Sequence, residues 1–566
     1  MATNRRNVRT SGKIGGGRVR ITLAAVFAAT LPWPHPLMAQ DAPPASNPDP
    51  AAAATPSPEP LAAQPAPQSE ARFLISEFRV EGNTVFSPIE IELTLLPFLG
   101  ENKAVADIES ARVALETRYR DQGFGSVLVD IPEQDILEGV VTLRVIEGRV
   151  ESLTVSGSRY FSLLDIRRQM QSLRTGSVPN MTEVSAQVSH LNRRTPNRSV
   201  TPLLRPGRTP GTIGVELRVK DEFPAHARIE VNDRYGANTS KTRLNLEAGY
   251  DNLWQRLHSA SLQYQTSPEE PDEVQVWSGT YVARARESDR VTVIYLVRSD
   301  SNTASIGDLN VLGKGRILGL REIIPFAGNS TASHSASLGV DYKDFDETLE
   351  LQGADAQKTP LRYLNWSGGY TVTARADQGV HRYNLGVNFG LRDVVNDPKQ
   401  FDVKRDGARA NYTVLRLGAE YTHWFESGMD LFFKLDGQLS DSPLVSNEQF
   451  AAGGAETVRG YLESQELGDY GAIGTIEWRS PSAAQYVAQS LRELRALVFV
   501  SGAVLNIREP LPRQSEDAEI YSTGIGVRIA TRKRMNAALD WAVPLKASRD
   551  IEDGEDRLHA SLELVF

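Results

Sequence analysis

The chain has 566 residues, carries 62 Lys+Arg against 71 Asp+Glu for a formal net charge of −9, and contains no cysteine. Disulfide frameworks, thiolate metal sites and cysteine nucleophiles are thereby excluded, and the negative balance argues against a general nucleic-acid binder. No run reaches the roughly 18 apolar residues of a membrane-spanning helix, but a mean hydropathy of −0.33 is blind to membrane strands, which place apolar residues only at every second position.

The amino terminus reads as an address. Arg5, Arg6, Arg9, Lys13, Arg18 and Arg20 precede the apolar run Ile21–Leu31, and the first acidic residue is Asp41. Basic n-region, short apolar h-region and a small residue near Ala39 predict a secretory signal over residues 1–39; a basic amphipathic arm or a retained anchor helix is the alternative. Residues 40–69 are largely Ala and Pro. Proline locks φ and removes donors, which predicts an extended linker without a core.

From Phe73 the texture changes. A strand ends at a Gly82–Asn83 turn, two helices follow, and SVLVDIP and VVTLRVIEG form two more strands, giving β-α-α-β-β over residues 73–148. In the second helix Ile108, Ala111, Leu115 and Tyr119 share one face. The same order repeats over residues 149–222, and FRVEGNTVFS aligns with LTVSGSRYFS, which marks an internal duplication; one larger α+β domain is the alternative. The pattern and its two Gly turns resemble tandem POTRA domains, periplasmic modules that receive unfolded client chains. The stretch LNRRTPNRSVTPLLRPGRTPGTIGVELRVKD is similar to the second POTRA of two-partner secretion transporters. Such a small sheet leaves an edge open to an extended guest strand. The candidate edge is Ser126, Val127, Leu128, Val129, Asp130 and Ile131.

From residue 224 to Phe566 the helical period gives way to alternation. Met429, Leu431, Phe433, Leu435 and Leu439 oppose Asp430, Lys434, Asp436 and Gln438; at the C-terminus Leu558, Ala560, Leu562, Leu564 and Phe566 oppose Arg557, His559, Ser561 and Glu563. Period two suits a soluble sandwich as well as a barrel in lipid, so the connections decide. Sixteen strand candidates start near residues 226, 241, 258, 274, 289, 309, 333, 361, 379, 409, 429, 470, 494, 521, 535 and 557. Short connections alternate with long ones toward the C-terminal end, the pattern of an outer-membrane barrel with both ends periplasmic. The fold class expected is therefore two α+β POTRA domains followed by a 16-stranded transmembrane antiparallel β-barrel over residues 224–566. Phe566 resembles the terminal signal of chains inserted by the outer-membrane assembly machinery.

The longest connection, between the eleventh and twelfth strands, holds Val458-Arg459-Gly460-Tyr461 within GGAETVRGY…GDYG. This resembles the VRGY tetrad of two-partner secretion transporters, whose loop folds back into the barrel lumen, and the resemblance extends over residues 73–566. It implies that Arg459 pairs with an aspartate of an F-x-D-x-G strand, but the matching segment is Phe499-Val500-Ser501-Gly502-Ala503, with Ser501 in the aspartate position. Buried guanidinium needs a fixed carboxylate. By alternation, Glu477 and Asp540 point inward and are substitute partners alongside Ser501. Many relatives also carry a plug helix ahead of the POTRA domains. The Pro-rich segment cannot form one of that length, so the plug is missing or a short piece such as Ala51–Ala54 acts more weakly.

No enzyme signature stands out. The eight histidines are scattered, His-Glu-x-x-His and Gly-x-Ser-x-Gly are absent, and GKGRILG at Gly313 lacks the rhythm of a phosphate cradle. The expectation is a non-enzyme without cofactors or metal. The resemblance implies a monomeric pore in the Gram-negative outer membrane, embedded in the lipid bilayer, that passes a large secreted exoprotein bearing an N-terminal secretion domain. It binds no nucleic acid and relies on the assembly machinery for its own insertion. A barrel-assembly factor of the same superfamily and a diffusion porin are the rival readings.

Overall fold

The computed structural model describes residues 72–566 apart from 137, 238, 287, 302, 307–308, 327, 329–330, 350–356, 513 and 533. The expected signal, the linker and the Ala51–Ala54 run lie outside the described residues. The chain divides into two compact bodies, one holding the α+β region and the other the barrel.

The first α+β unit comprises β1 (Phe73–Ile75), β2 (Glu77–Glu81), α1 (Pro88–Leu95), β3 (Gly100–Lys103), α2 (Val105–Asp121), β4 (Val127–Asp130) and β5 (Val140–Glu147). Its sheet has the order β2-β5-β4, with β2 and β5 parallel and β4 and β5 antiparallel. The small β1–β3 ladder is an addition that alternation over three or four residues could not announce. Ile108, Ala111, Leu115 and Tyr119 are all buried and pack with Val127, Val129, Val141, Leu143 and Val145. The expected three-to-four stripe is thus the face that α2 turns to the sheet. Helix α1 starts at a capping box, Ser87 with Glu90, and has proline in its first turn, which satisfies donors that no helical carbonyl can reach.

The second unit repeats this with β6 (Arg149–Ser156), α3 (Leu163–Gln169), α4 (Met181–Arg193), β7 (Arg198–Pro206) and β8 (Thr212–Asp221), in sheet order β6-β8-β7. The two units share a turn device. Gly82 and Gly157 have φ of 85° and 84°, and a Cβ on either would lie 2.3 or 2.4 Å from the carbonyl oxygen of Val145 or Val219. Only glycine permits that approach. An acid at the end of the last strand then gathers the N–H groups beyond the glycine: Glu147 accepts from Val85 at 3.0 Å, and Asp221 accepts from Arg159 and Tyr160 at 2.8 Å each.

The barrel is closed and antiparallel, with sixteen strands. They are β9 (Ala225–Asn232), β10 (Arg243–Leu253), β11 (His258–Thr266), β12 (Gln275–Arg284) and β13 (Val291–Ser299); then, after a hairpin of β14 (Thr303–Ile306) and β15 (Leu309–Leu312), β16 (Gly315–Phe326), β17 (Ala332–Leu349), β18 (Gln357–Ala376) and β19 (Gly379–Gly390). After α5 (Pro398–Lys404) come β20 (Thr413–Trp424) and β21 (Asp430–Ser440). The short β22 (Phe450–Ala452) and β23 (Glu466–Gly468) lie in the next connection, before β24 (Tyr470–Arg479), β25 (Leu491–Asn506), β26 (Asp517–Thr531), β27 (Met535–Pro544) and β28 (Arg557–Val565). The strand count matches the expectation. One start does not: the sixth strand begins at Gly315, and the apolar segment near residue 309 is half of the separate β14–β15 hairpin. A short apolar run cannot reveal which neighbour it pairs with.

Two-residue and 29-residue connections coexist: 377–378 joins β18 to β19, while 441–469 joins β21 to β24. Leu262, Ile294, Leu318, Ile476, Val498, Ile525 and Leu558 are exposed on the outside, whereas Asp436, Gln438, Glu477, Ser501, Asp540 and His559 are buried within. An apolar exterior around a polar interior is the reverse of a soluble domain and suits a barrel in lipid.

Candidate functional site: the loop inside the barrel

Residues 441–469 fold inward across the lumen. Near its start, buried Glu448 receives Lys343 Nζ of β17 at 2.5 Å and the Tyr363 hydroxyl of β18 at 2.7 Å. At its end, fully buried Asp469 receives Arg405 Nη2 at 2.7 Å, the N–H of Arg508 at 2.7 Å, the N–H of Leu444 at 3.0 Å and the amide of Gln449 at 3.1 Å. One carboxylate therefore ties both roots of the loop and two other connections together. Buried backbone and charge must be satisfied somewhere, and here they satisfy one another. The β22–β23 ladder then pinches off residues 453–465 as a compact tip.

Val458 and Tyr461 are fully buried in an apolar cluster with Leu462, Ile473, Ala503, Leu505 and Ile520. The Tyr461 hydroxyl lies 2.9 Å from the Tyr521 carbonyl and 2.6 Å from that of Lys546. Gly460 has φ of 93°, a conformation that β-carbon-bearing residues rarely adopt. Its N–H donates to His559 Nε2 at 2.9 Å.

Arg459 donates to Glu477, lies 3.7 Å from Asp540, and rests its guanidinium 3.7 Å from the centroid of the Phe499 ring. Both carboxylates also have a second cation. Arg479 binds the other oxygen of Glu477 at 2.9 and 2.6 Å, and Arg528 holds Asp540 through two contacts of 2.8 Å. The result is a row, Arg479–Glu477–Arg459–Asp540–Arg528, in which each buried acid is shared. The adjoining cavity, about 380 Å³, is lined by five carboxylates (Asp233, Glu420, Glu456, Glu477, Asp540), five cations (Arg234, Lys434, Arg459, Arg479, Arg528) and His559. A balanced lining holds a loop; it offers no net field for an ion of either sign.

Ser501 stands apart from this row. Its hydroxyl lies 3.1 Å from that of Thr475, its cross-strand partner. Glu477 pairs across the strands with Phe499, so a carboxylate reaches Arg459 from β24 where the resemblance implied one from β25. His559, Asp469, Glu448 and Arg405 were not singled out from the sequence. Alternation already put His559 on the wet face of the last strand; nothing local distinguishes the other three from ordinary loop and strand residues.

Of the other candidates, Val127–Asp130 forms β4, at the edge of its sheet, and Ser126 and Ile131 flank it. Val127 and Val129 face the core while Leu128 is 59% exposed. Phe566 exchanges backbone hydrogen bonds of 2.8 and 3.2 Å with Ala227, at the seam that closes the barrel.

Comparison with known proteins agrees with this architecture. Residues 73–148 match the profile described as POTRA domain, ShlB-type, and residues 211–492 match that of haemolysin secretion/activation protein ShlB/FhaC/HecB. The outer membrane transporter CdiB of Dickeya dadantii (strain 3937) is 22% identical over 488 residues, covering 81% of each chain. Among solved structures, CdiB from Escherichia coli superposes with a TM-score of 0.62 at 15% identity, covering 89% of this chain and 93% of its own. BamA from Haemophilus ducreyi lacking POTRA domains 1–3 gives 0.54 at 16% identity, covering 87% and 100%.

Proposed function

This chain belongs to the haemolysin secretion/activation family of two-partner secretion transporters, POTRA-plus-barrel proteins of the Gram-negative outer membrane, and on that premise we propose how its parts work. Such a transporter has a secreted exoprotein as partner and sits in a bilayer. The POTRA domain of residues 73–148 captures the unfolded N-terminal secretion domain of that exoprotein along the open edge of β4, by adding a strand to the sheet. The unit of residues 149–222, with the same element order and the same turn device, acts as a second POTRA domain. The barrel conducts the chain outward, and folding outside the cell opposes its return.

The observation that carries this reading is a loop that crosses a closed barrel and is held non-covalently, with its tip arginine in shared ion pairs. Shared pairs are exchangeable: a passing polypeptide displaces the tip while Glu477 and Asp540 each keep an arginine. The protein acts as a monomer, without cofactor or catalysis, and is inserted by the outer-membrane assembly machinery through its terminal phenylalanine. The rival assembly-factor reading is less favoured, because the profile is that of secretion/activation proteins and the curated relative is an outer membrane transporter.

Removing residues 73–221 tests the proposal. Export of a co-expressed partner exoprotein should be lost while the barrel still inserts and conducts ions. Undiminished export by the truncated chain would refute capture by these domains, and unchanged small-solute uptake with no exoprotein dependence would make the protein a porin.

A further inference from the structure

The two α+β units share a fold but carry opposite charge. Residues 73–148 hold 6 Lys+Arg against 14 Asp+Glu, a balance of −8, whereas residues 149–221 hold 12 against 5, a balance of +7. The shared fold does not require this difference, since one set of elements is built with either sign. On the second unit an open cleft of about 300 Å³ is lined by Leu153, Leu164, Arg167, Arg168, Arg174 and Thr175, with no carboxylate among them. The three arginines are exposed. Beside them on α3, Leu163 and Leu164 are 47% and 56% exposed, although neither is needed by the core that Ile166, Met170 and Leu173 complete.

We propose that this cleft binds the anionic headgroups of phospholipids. A guanidinium presents a planar fork of donors that matches phosphate oxygens, and Thr175 adds a hydroxyl. Exposed leucines flanked by cations fit the boundary between headgroups and acyl chains, where the apolar side chain enters and the charge stays with the phosphates. The covalent chain favours the same occupant: only Glu222, Phe223 and Pro224 separate β8 from the first barrel strand, a tether of about 10 Å whatever the orientation of the two bodies. The same surface repels the first unit, so one domain is held at the bilayer and the other is kept off it, free for the exoprotein. The proposal rests on the outer-membrane location and not on how the exoprotein is captured.

Because the chain lacks cysteine, Leu164→Cys provides one unique attachment point for a spin label, and Thr209→Cys, exposed on the same unit, provides a control. The full-length protein is reconstituted into phosphatidylcholine bilayers with or without phosphatidylglycerol, and accessibility to oxygen and to a water-soluble nickel chelate is measured. The label at 164 should move from water into lipid only with phosphatidylglycerol, while that at 209 stays in water. High salt, or the combined exposed-site variant Arg167→Gln, Arg168→Gln, Arg174→Gln, should return it to water, with barrel conductance unchanged. Free inorganic phosphate should not reproduce the shift. Three outcomes would overturn the proposal: a label that is wet in both bilayers, one that is equally immersed in both, or a shift that needs added exoprotein. Undiminished export by the β4 edge variant Leu128→Lys, with the label shift intact, would count against the capture reading and leave this one standing.

Discussion

His559 accepts the backbone N–H of Gly460 at 2.9 Å, so the tip of the lumen loop is tied to the last strand of the barrel. The other face of that histidine lies 3.4 Å from Asp233, just past the first strand, and Asp233 itself receives the N–H of Ala560 at 2.9 Å. The seam between β28 and β9 is a short ladder from Ser561↔Asn232 to Val565↔Arg228, extended at one end by the Phe566–Ala227 hydrogen bonds and at the other by Asp233 and Ala560. Loop tip and barrel closure therefore share one side chain.

Replacing His559 with alanine leaves the Gly460 N–H buried without an acceptor, a cost of about 1–3 kcal/mol against the closed loop. Planar-bilayer recordings of His559→Ala should show more frequent or longer open events than the parent. His559→Gln, which offers a side-chain acceptor, should fall between the two. Parent-like gating in the alanine variant would mean that this contact does not hold the loop.

The shared ion pairs predict an asymmetry. Arg459→Ala leaves Glu477 with Arg479 and Asp540 with Arg528, so the barrel should keep its thermal stability while export falls. Glu477→Ala takes from buried Arg459 the carboxylate it donates to and leaves it only Asp540 at 3.7 Å, and breaking such a buried pair costs about 3–5 kcal/mol; its unfolding transition should drop markedly. Ser501→Ala removes one hydroxyl contact, worth about 1 kcal/mol, and should export normally. Normal export by Arg459→Ala would dismiss the loop contact as a functional element.

Asp221 makes the second α+β unit sensitive to acid. Burial pushes its carboxyl upward, but hydrogen bonds from the N–H groups of Tyr160 and Arg159 and the hydroxyl of Ser158 outweigh burial and hold it below the usual range. A carboxyl held low contributes stability that is complete above its unfolded pKa, about 3.9, and is lost as pH falls through the lower folded value. Amide exchange at Arg159 and Tyr160 should accelerate over that acid window. Asp221→Asn should show fast exchange already at neutral pH and a flatter acid response.

Edge capture is tested at Leu128, whose exposed side chain can change without touching the core. Leu128→Lys should alter stability by no more than about 0.5 kcal/mol, yet a charge on an edge strand discourages an incoming strand. Pull-down of the exoprotein's N-terminal domain and its export should both weaken. Equal binding by parent and variant would move the capture site elsewhere.

Much of this was legible in the residues. The stripe of Ile108, Ala111, Leu115 and Tyr119 announced the buried face of α2, and alternation from Met429 to Leu439 announced a strand between two environments. Period two assigns a face, and so it placed Glu477, Asp540 and His559 inside. It cannot say which neighbour each meets, because a partner depends on register. The family pattern pointed to position 501, whereas the carboxylate stands one strand away at Glu477, opposite Phe499. Asp469 and Arg405 lie 64 residues apart in the chain, and Gly460 and His559 lie 99 apart; no local signal links either pair. Composition, periodicity and the rhythm of connection lengths by themselves determined a cysteine-free chain with small α+β units and a barrel whose polar half faces inward. Only closure of the sixteen strands decided which buried charges share a partner, because closure sets the register and the distance across the lumen.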